Sequence, residues 1–136
     1  MHIPDLDVDT IYNPFYAVAD NAGSCYVARE AMTGEFMVIN GDTLFEPSLC
    51  EKALSQRHFP ITVTIDRKAE YDADDMKVCL SGDRLTRIGK ALPLDVVDAE
   101  SIGMLIFDEE GGEHFKSAII NLLRSENGLK SWYLRA

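Results

Sequence analysis

The turn Asn40-Gly41-Asp42 carries the side chains of this chain that are best placed by type and spacing to do chemistry. It closes the apolar run 36–39, and the pair Glu46-Pro47 after it is typical of a helix start. A carboxylate at the carboxyl end of a buried strand lies where open α/β sheets bind ligands and metal ions. Asp42 is therefore a candidate metal ligand. Because Asn, Gly and Asp are also the commonest turn residues, an ordinary strand-ending turn is the alternative.

The elements around this turn alternate between helical and strand periodicity. Apolar residues repeat at helical spacing over 24–32 and again from Pro47 to Arg57, and Asn21 or Ser24 is the predicted N-cap of the first helix. Strands are predicted at 36–39 and 61–65. Since helix–strand–helix–strand order is typical of right-handed crossovers, we expect these two strands to pair in parallel.

The second half of the chain has a different character. Two strand-like runs, 76–80 and 85–88, flank Ser81-Gly82-Asp83-Arg84, which predicts an antiparallel β-hairpin with a four-residue connection. The nearly unbroken apolar run 101–107 predicts a central strand covered on both faces. The last helix has apolar residues at i, i+3, i+4, i+7 and i+8 starting from Phe115, and Gly128 is its predicted C′ stop.

Size, charge and cysteine usage limit the function. The 136 residues predict one domain, 1–136, and the net charge of −10 disfavours binding to nucleic acid or to anionic membranes. No stretch approaches the roughly twenty apolar residues of a membrane span. The three cysteines are widely spaced, which favours small core residues over a zinc site or a disulfide framework. A reducing compartment follows, so we expect a cytoplasmic protein.

Six short segments together resemble the sugar-phosphate nucleotidyltransferases, and in particular their choline-phosphate cytidylyltransferase-like branch. No single segment is specific, but the six occur in the order of that family over almost the whole chain. They are Asn13-Pro14-Phe15-Tyr16, Asp20-Asn21-Ala22-Gly23-Ser24, Ile39-Asn40-Gly41-Asp42, Asp74-Asp75-Met76-Lys77-Val78, Ile88-Gly89-Lys90 and Glu100-Ser101-Ile102-Gly103.

The resemblance implies an α/β fold and a reaction. The expected fold is a truncated, doubly wound, Rossmann-like and mostly parallel sheet flanked by helices, with the antiparallel hairpin added. The implied reaction moves a nucleotidyl group from a nucleoside triphosphate to a phosphorylated sugar or alcohol, releases pyrophosphate and uses Mg²⁺. Asp42 would be the first magnesium carboxylate. Asn21 and Ser24 would lie near the nucleobase, although capping of their helix would explain both equally well.

The acceptor side of the implied site falls on three further residues. Lys90 would reach the substrate phosphate or sugar as a point charge, or would be an ordinary solvated lysine. Glu100 and Gly103 would belong to the acceptor pocket, where a carboxylate takes hydroxyl or cationic-head contacts and a glycine lets the backbone approach. Close packing inside a strand is the alternative explanation for Gly103.

Two parts of the family pattern have no counterpart in this chain. The glycine-rich loop, with its catalytic arginine and lysine, is missing between Met1 and Asn13, and the chain stops before a second magnesium carboxylate beyond the Trp132-Tyr133 segment. We therefore expect a truncated domain without full catalysis alone and with a weak nucleotide or phosphate-ester pocket. An exposed truncated edge predicts a homodimer. The alternatives are an active Mg²⁺-dependent nucleotidyltransferase, alone or with a complementing chain, and a non-catalytic small-molecule-binding module.

Overall fold

The computed structural model describes residues 7–136. Within these residues, three α-helices and five strands are joined by turns and by four short 3₁₀ segments, the last of which is Tyr133–Arg135. The helices are α1 (Asn21–Ala28), α2 (Pro47–Ser55) and α3 (Glu109–Arg124). The strands are β1 (Phe36–Ile39), β2 (Ile61–Asp66), β3 (Lys77–Ser81), β4 (Arg84–Gly89) and β5 (Ala99–Phe107). None of the helices in this part of the chain combines the length and apolarity needed to cross a membrane.

The helices begin at residues whose side chains or backbones suit a helix start. The carboxylate of Asp20 accepts a hydrogen bond from the backbone N–H of Asn21, so Asp20 caps α1 and the prediction of Asn21 or Ser24 as the cap is wrong. Pro47 occupies the first turn of α2, where its missing N–H costs nothing. Asp108 caps the long helix α3, where its carboxylate accepts from the backbone N–H of Gly111 at 2.8 Å.

The predicted mostly parallel, doubly wound, Rossmann-like sheet is wrong, because every hydrogen-bonded strand pair in the sheet is antiparallel. The physical reason lies in β5, whose nine largely buried residues form the central strand. Residues 105–107 of β5 pair with β1 on one side and with β2 on the other, antiparallel to both. The strands β1 and β2 therefore run in the same direction, as the crossover pattern indicated, but β5 lies between them.

The strands leave a gap along one side of β5. There β1 pairs with residues 104–107 of β5 and β3 pairs with residues 99–100, while β2 lies along the opposite side. Both β1 and β3 run antiparallel to β5. The strand β1 ends opposite Met104 of β5, and β3 begins opposite Glu100, so residues 101–103 of β5 lie between the two. We call this place, between Ile39 and Lys77 and beside residues 101–103, the strand gap.

The hairpin of β3 and β4 is present, with a two-residue turn instead of the predicted four-residue connection. Gly82 opens this turn with φ +60°, a conformation that glycine adopts without steric cost. The predicted C′ role of Gly128 is wrong as well. The helix α3 ends at Arg124 with Ser125 as its C-cap, and Gly128 begins a separate 3₁₀ segment.

The main core lies between one face of β5 and the helices α1 and α3. Phe107 is fully buried, and its ring centroid lies 4.7 Å from that of Phe36 and 4.7 Å from that of Phe115. Ile119 of α3 and Tyr133 of the last 3₁₀ segment complete this core cluster. Each such side chain stabilises the fold by about 1.5–3 kcal/mol relative to its exposed state. The C-terminal residues are therefore held next to the strand gap by the same packing that stabilises the sheet.

Candidate functional site at the strand gap

The turn after β1 closes one end of the strand gap by bonding to β5. The backbone N–H of Asn40 donates to the carbonyl of Gly103 at 2.8 Å, and the Thr43 hydroxyl donates to the carbonyl of Ile102 at 2.9 Å. These bonds fix the backbone on either side of Asp42. The Asp42 side chain itself is exposed and does not enter the core. The turn therefore holds a carboxylate at the mouth of the gap.

Gly103 lets the Asn40 side chain lie against β5. Its φ is +76°, and a Cβ at this position would collide with the side-chain amide of Asn40. This region of backbone space strongly favours glycine. The space over Gly103 is filled by a neighbouring side chain, which matches the packing explanation for this residue. Its predicted role in an acceptor pocket stays a prediction.

Tyr133 ties the C-terminal segment to both the turn after β1 and the start of α1. Its hydroxyl donates to Oδ1 of Asn40 at 2.9 Å, and its backbone N–H donates to Oδ1 of Asn21 at 2.8 Å. Burial raises the pKa of the phenol to about 12, with smaller contributions from Cys25 and from the carboxylate of Asp42. The phenol is therefore a neutral hydrogen-bond donor at physiological pH.

The two residues predicted to lie near a nucleobase are both engaged within the chain. The Asn21 amide oxygen accepts from Tyr133, and the Ser24 hydroxyl accepts from Nδ2 of Asn13 at 3.1 Å. Neither residue caps α1. Tyr133 links Asn21, but not Ser24, to the strand gap, and the contact of both residues with a nucleobase stays a prediction.

Lys90 follows β4 and presents its ammonium group at the surface beside the gap. Its Nζ lies 4.2 Å from the ring centroid of Trp132 and 3.5 Å from Oδ1 of Asp74. An ammonium over an indole face gains electrostatic energy from the ring quadrupole. Asp74 is almost fully solvated, so its hold on Lys90 is weak. The ammonium is thus oriented by the indole and remains accessible to an anion.

Glu100 belongs to a three-membered charge cluster at the far end of the gap. The Lys68 ammonium lies 2.8 Å from Oδ2 of Asp75 and 2.9 Å from Oε1 of Glu100. The hydrogen bond from Lys68 lowers the pKa of Asp75 to about 2. Burial raises the pKa of Glu100, and Lys68 opposes that rise. A cationic group of a ligand would have to displace Lys68 before it could reach Glu100.

Asp42 has no set of protein ligands that could hold Mg²⁺ without help from a ligand. Within residues 7–136, no three His, Cys, Asp or Glu side chains come together in a group able to hold a metal ion. The nearby Thr43 hydroxyl donates to a carbonyl. These residues do not fit a metal site built by the protein alone, since a hard cation needs about six oxygen ligands. Asp42 could supply one carboxylate to an ion that a bound phosphate already carries.

Sequence reasoning missed four residues that shape the gap, namely Lys68, Lys77, Trp132 and Tyr133. Lys77 was detectable, because a charged residue inside the buried run 76–80 demands an explanation. It is only 3% exposed. The other three act through contacts between segments that are far apart in the chain, and no local pattern predicts such contacts.

A cavity lies at the opposite end of β5 from the start of β3. This cavity has a volume of about 250 Å³ and is lined in part by Ile106, Thr62 and the ion pair Glu35–Arg57, whose Nη1 and Oε2 lie 2.9 Å apart. The guanidinium group of Arg57 in this cavity is therefore already paired with the carboxylate of Glu35. None of the predicted site residues lines this cavity.

The chain matches no protein-family model, and a search of curated proteins also finds no match. The geometry of the strand gap therefore carries the functional argument.

Proposed function

We propose that the strand gap binds a nucleotide or another phosphate ester weakly, in a nucleotidyltransferase-like domain that does not catalyse the full transfer reaction by itself. The proposal does not use the doubly wound fold, which the antiparallel sheet excludes. It rests on the contacts among the six segments that carry the resemblance.

The observation that supports the proposal is that hydrogen bonds and ion pairs, some of them through Tyr133 and Lys68, connect all six segments with one another. Asn13 reaches Ser24, Tyr133 connects Asn21 with Asn40, and the turn of Asn40 bonds to Gly103. The remaining contacts run from Lys90 to Asp74 and, through Lys68, from Asp75 to Glu100.

The charges of the gap support an anionic ligand that brings its own counter-ion. Lys90 can meet a phosphate as a point charge. Asp42, Asp74 and Asp75 would repel the remaining phosphate charge unless Mg²⁺ accompanies the ligand, with Asp42 as its single protein carboxylate. Binding should therefore be weak without Mg²⁺. The three free cysteines support the cytoplasmic placement that belongs to this proposal.

The single tryptophan of the chain gives a direct test of binding. Because Trp132 lies against the Lys90 ammonium, an anion that binds Lys90 should change the Trp132 fluorescence. CTP, UTP, ATP, GTP, phosphocholine and glucose 1-phosphate would each be titrated with and without Mg²⁺. We expect a saturable change with at least one of them, and its loss in Lys90→Met.

A matched control is Lys116→Met, because Lys116 is half-buried and bonds to the backbone carbonyl of Met32 and to Glu113, neither of which belongs to the strand gap. This variant should keep the wild-type titration. If all six compounds leave the fluorescence of the folded wild type unchanged, the proposal is wrong.

Catalysis by the isolated chain is the competing outcome. A pyrophosphate-release assay with the four triphosphates and either acceptor should show no turnover, since a single ammonium, that of Lys90, does not replace the several amides and cations that stabilise charge on a transferred phosphorus. Turnover that disappears in Asp42→Ala would show instead that the chain is an active nucleotidyltransferase.

Self-association belongs to the same proposal. Six large apolar side chains are exposed within an eleven-residue stretch near the N-terminus, and this many exposed apolar side chains in one segment favour a protein partner. They are Val8, Ile11, Tyr12, Phe15, Tyr16 and Val18. In addition, β1 pairs only with β5 within the described sheet, so its other edge is open. We propose that a second copy of the chain covers this region.

Light scattering at micromolar concentration tests the assembly. The wild type should be a dimer, and the pair of changes Tyr12→Ser and Tyr16→Ser should shift it to monomer. Leu44→Ser is the control, because Leu44 is 97% exposed and lies outside the stretch. A wild type that stays monomeric throughout this range would contradict the assembly and leave the binding proposal intact.

A further inference from the structure

Lys77 is a buried ammonium group whose three donors are all used by backbone carbonyls. The residue is 3% exposed, and its Nζ donates to the carbonyl of Lys90 at 2.9 Å, to that of Asp75 at 3.4 Å and to that of Asp72. A lysine ammonium has three donors and no acceptor, so this set satisfies it completely. Burial of a charge is costly, and the three carbonyls offset that cost.

The backbone of Lys77 is fixed as firmly as its side chain. It begins β3, where it lies opposite Gly89 of β4 and opposite Glu100 of β5. The neighbour of Gly89 is Lys90. Lys77 therefore lies between β4, which Lys90 follows, and β5, which contains Glu100. Its ammonium group also bonds directly to the backbone carbonyl of Lys90.

The turn that Lys77 holds presents the carbonyls of Asp72 and Asp75 to the ammonium group and is closed by the carboxylate of Asp72. Oδ1 of Asp72 accepts from the backbone N–H groups of Asp74 at 2.8 Å and Asp75 at 3.1 Å. The Asp74 carboxylate faces Lys90, and the Asp75 carboxylate faces Lys68. The position of both surface ion pairs therefore depends on a turn whose inner side is bonded to the Lys77 ammonium.

We infer that Lys77 is the positioning residue of the strand gap, because its ammonium ties the turn 72–75 to the backbone of Lys90 and thereby sets where the Lys90 ammonium lies. The residue does not meet the ligand itself. Its effect on ligand binding rests on the function proposed above, but its effect on the placement of Lys90 does not.

The variant Lys77→Met tests this inference, because methionine fills similar space without donors. We expect a folded but less stable protein in which the carbonyls of Asp72, Asp75 and Lys90 separate. Trp132, which lies over Lys90, should then become more accessible to acrylamide, and phosphocholine should bind about tenfold more weakly, a loss equivalent to about 1.4 kcal/mol.

Lys116→Met again serves as the control. It removes a lysine that also donates to a backbone carbonyl, so it should lower stability without changing Trp132 quenching. Equal quenching of Trp132 in folded Lys77→Met and in the wild type would show that Lys77 supports the fold alone, and the inference would be wrong.

A measurement on the wild type covers the case in which Lys77→Met does not fold. In a spectrum of ¹⁵N-labelled lysine side chains, a buried ammonium with three acceptors should exchange slowly with water and give a resolved signal, whereas the solvated groups should not. Absence of a protected ammonium signal would overturn the inference. If the wild type does not bind phosphocholine but Trp132 quenching increases in Lys77→Met, the proposed function is wrong and this inference still holds.

Discussion

Replacement of Gly103 by alanine perturbs the contact between β5 and the turn after β1. Gly103 has φ +76°, and the new Cβ would meet the Asn40 side chain, which must then move away from Tyr133. The left-handed conformation costs about 1–2 kcal/mol and loss of the Tyr133–Asn40 hydrogen bond adds about 0.5–1.5 kcal/mol, so the free energy of unfolding should fall by about 1.5–3.5 kcal/mol.

Gly82 provides a matched control for this prediction. It has φ +60° in the hairpin turn, and a Cβ there would have open space. Gly82→Ala should therefore lose only the conformational part, about 1–2 kcal/mol. In urea unfolding at equilibrium, the free energies of unfolding of Gly103→Ala and Gly82→Ala should differ by the contribution of one hydrogen bond, about 0.5–1.5 kcal/mol.

The double variant Gly103→Ala, Asn40→Ala separates the two causes. Once the amide of Asn40 is gone, the collision is relieved, and the double variant should lose less stability than the sum of the two single variants. Equal losses in Gly103→Ala and Gly82→Ala, or strict additivity in the double variant, would refute the idea that Asn40 packs on Gly103 to hold the turn.

Three further predictions follow from the same contacts. In Lys68→Met the pKa of Asp75 should rise from about 2 toward its ordinary value of 3.8, as measured by NMR titration. The wild type loses the stability that this contact provides as the pH falls from about 4 to 2, and the variant should not show this loss. Tyr133→Phe should cost about 0.5–1.5 kcal/mol in urea unfolding. The wild type should also lose stability between pH 10 and about 12, because the phenol ionises near pH 10 in the unfolded state and only near pH 12 in the folded state. Tyr133→Phe should not show this loss. Phe115→Ala should cost about 3–5 kcal/mol in urea unfolding by leaving a cavity in the core.

Part of the fold could be predicted because it depends on local patterns. The apolar run 101–107 correctly predicted a central strand, because an unbroken run of apolar residues indicates burial on both faces. The helical spacing from Phe115 correctly predicted α3, because it indicates a helix buried on one face. The hairpin of β3 and β4 also follows from a turn flanked by two strand-like runs. These are properties of short segments that need no knowledge of the rest of the chain.

The strand order could not be predicted in this way. Alternation of helices and strands predicted that β1 and β2 pair in parallel, but the structure has β5 between them. Which strand occupies the centre depends on the burial that each arrangement achieves for the whole chain. Because β5 comes late in the sequence, no pattern in the first 66 residues indicates that it separates β1 from β2.

The candidate site shows the same limit. Asp42 was expected in a turn at the end of a strand, and it lies there in an exposed position. The partners of Lys90 and Glu100 are Trp132 and Lys68, which are 42 and 32 residues away in the sequence. Contacts at such separations arise from packing, so the sequence could name the charged residues but not the groups that orient them.

Mapping of backbone amide shifts by NMR during titration with the magnesium complex of CTP, and separately with phosphocholine, tests the central claim most directly. Binding at the strand gap predicts shifts that concentrate in residues 40–43, 72–77, 89–90, 100–103 and 132–133. Shifts that cluster instead around Arg57 and Thr62 in the opposite cavity, or no shifts with either compound, would contradict the claim that the strand gap is the binding site.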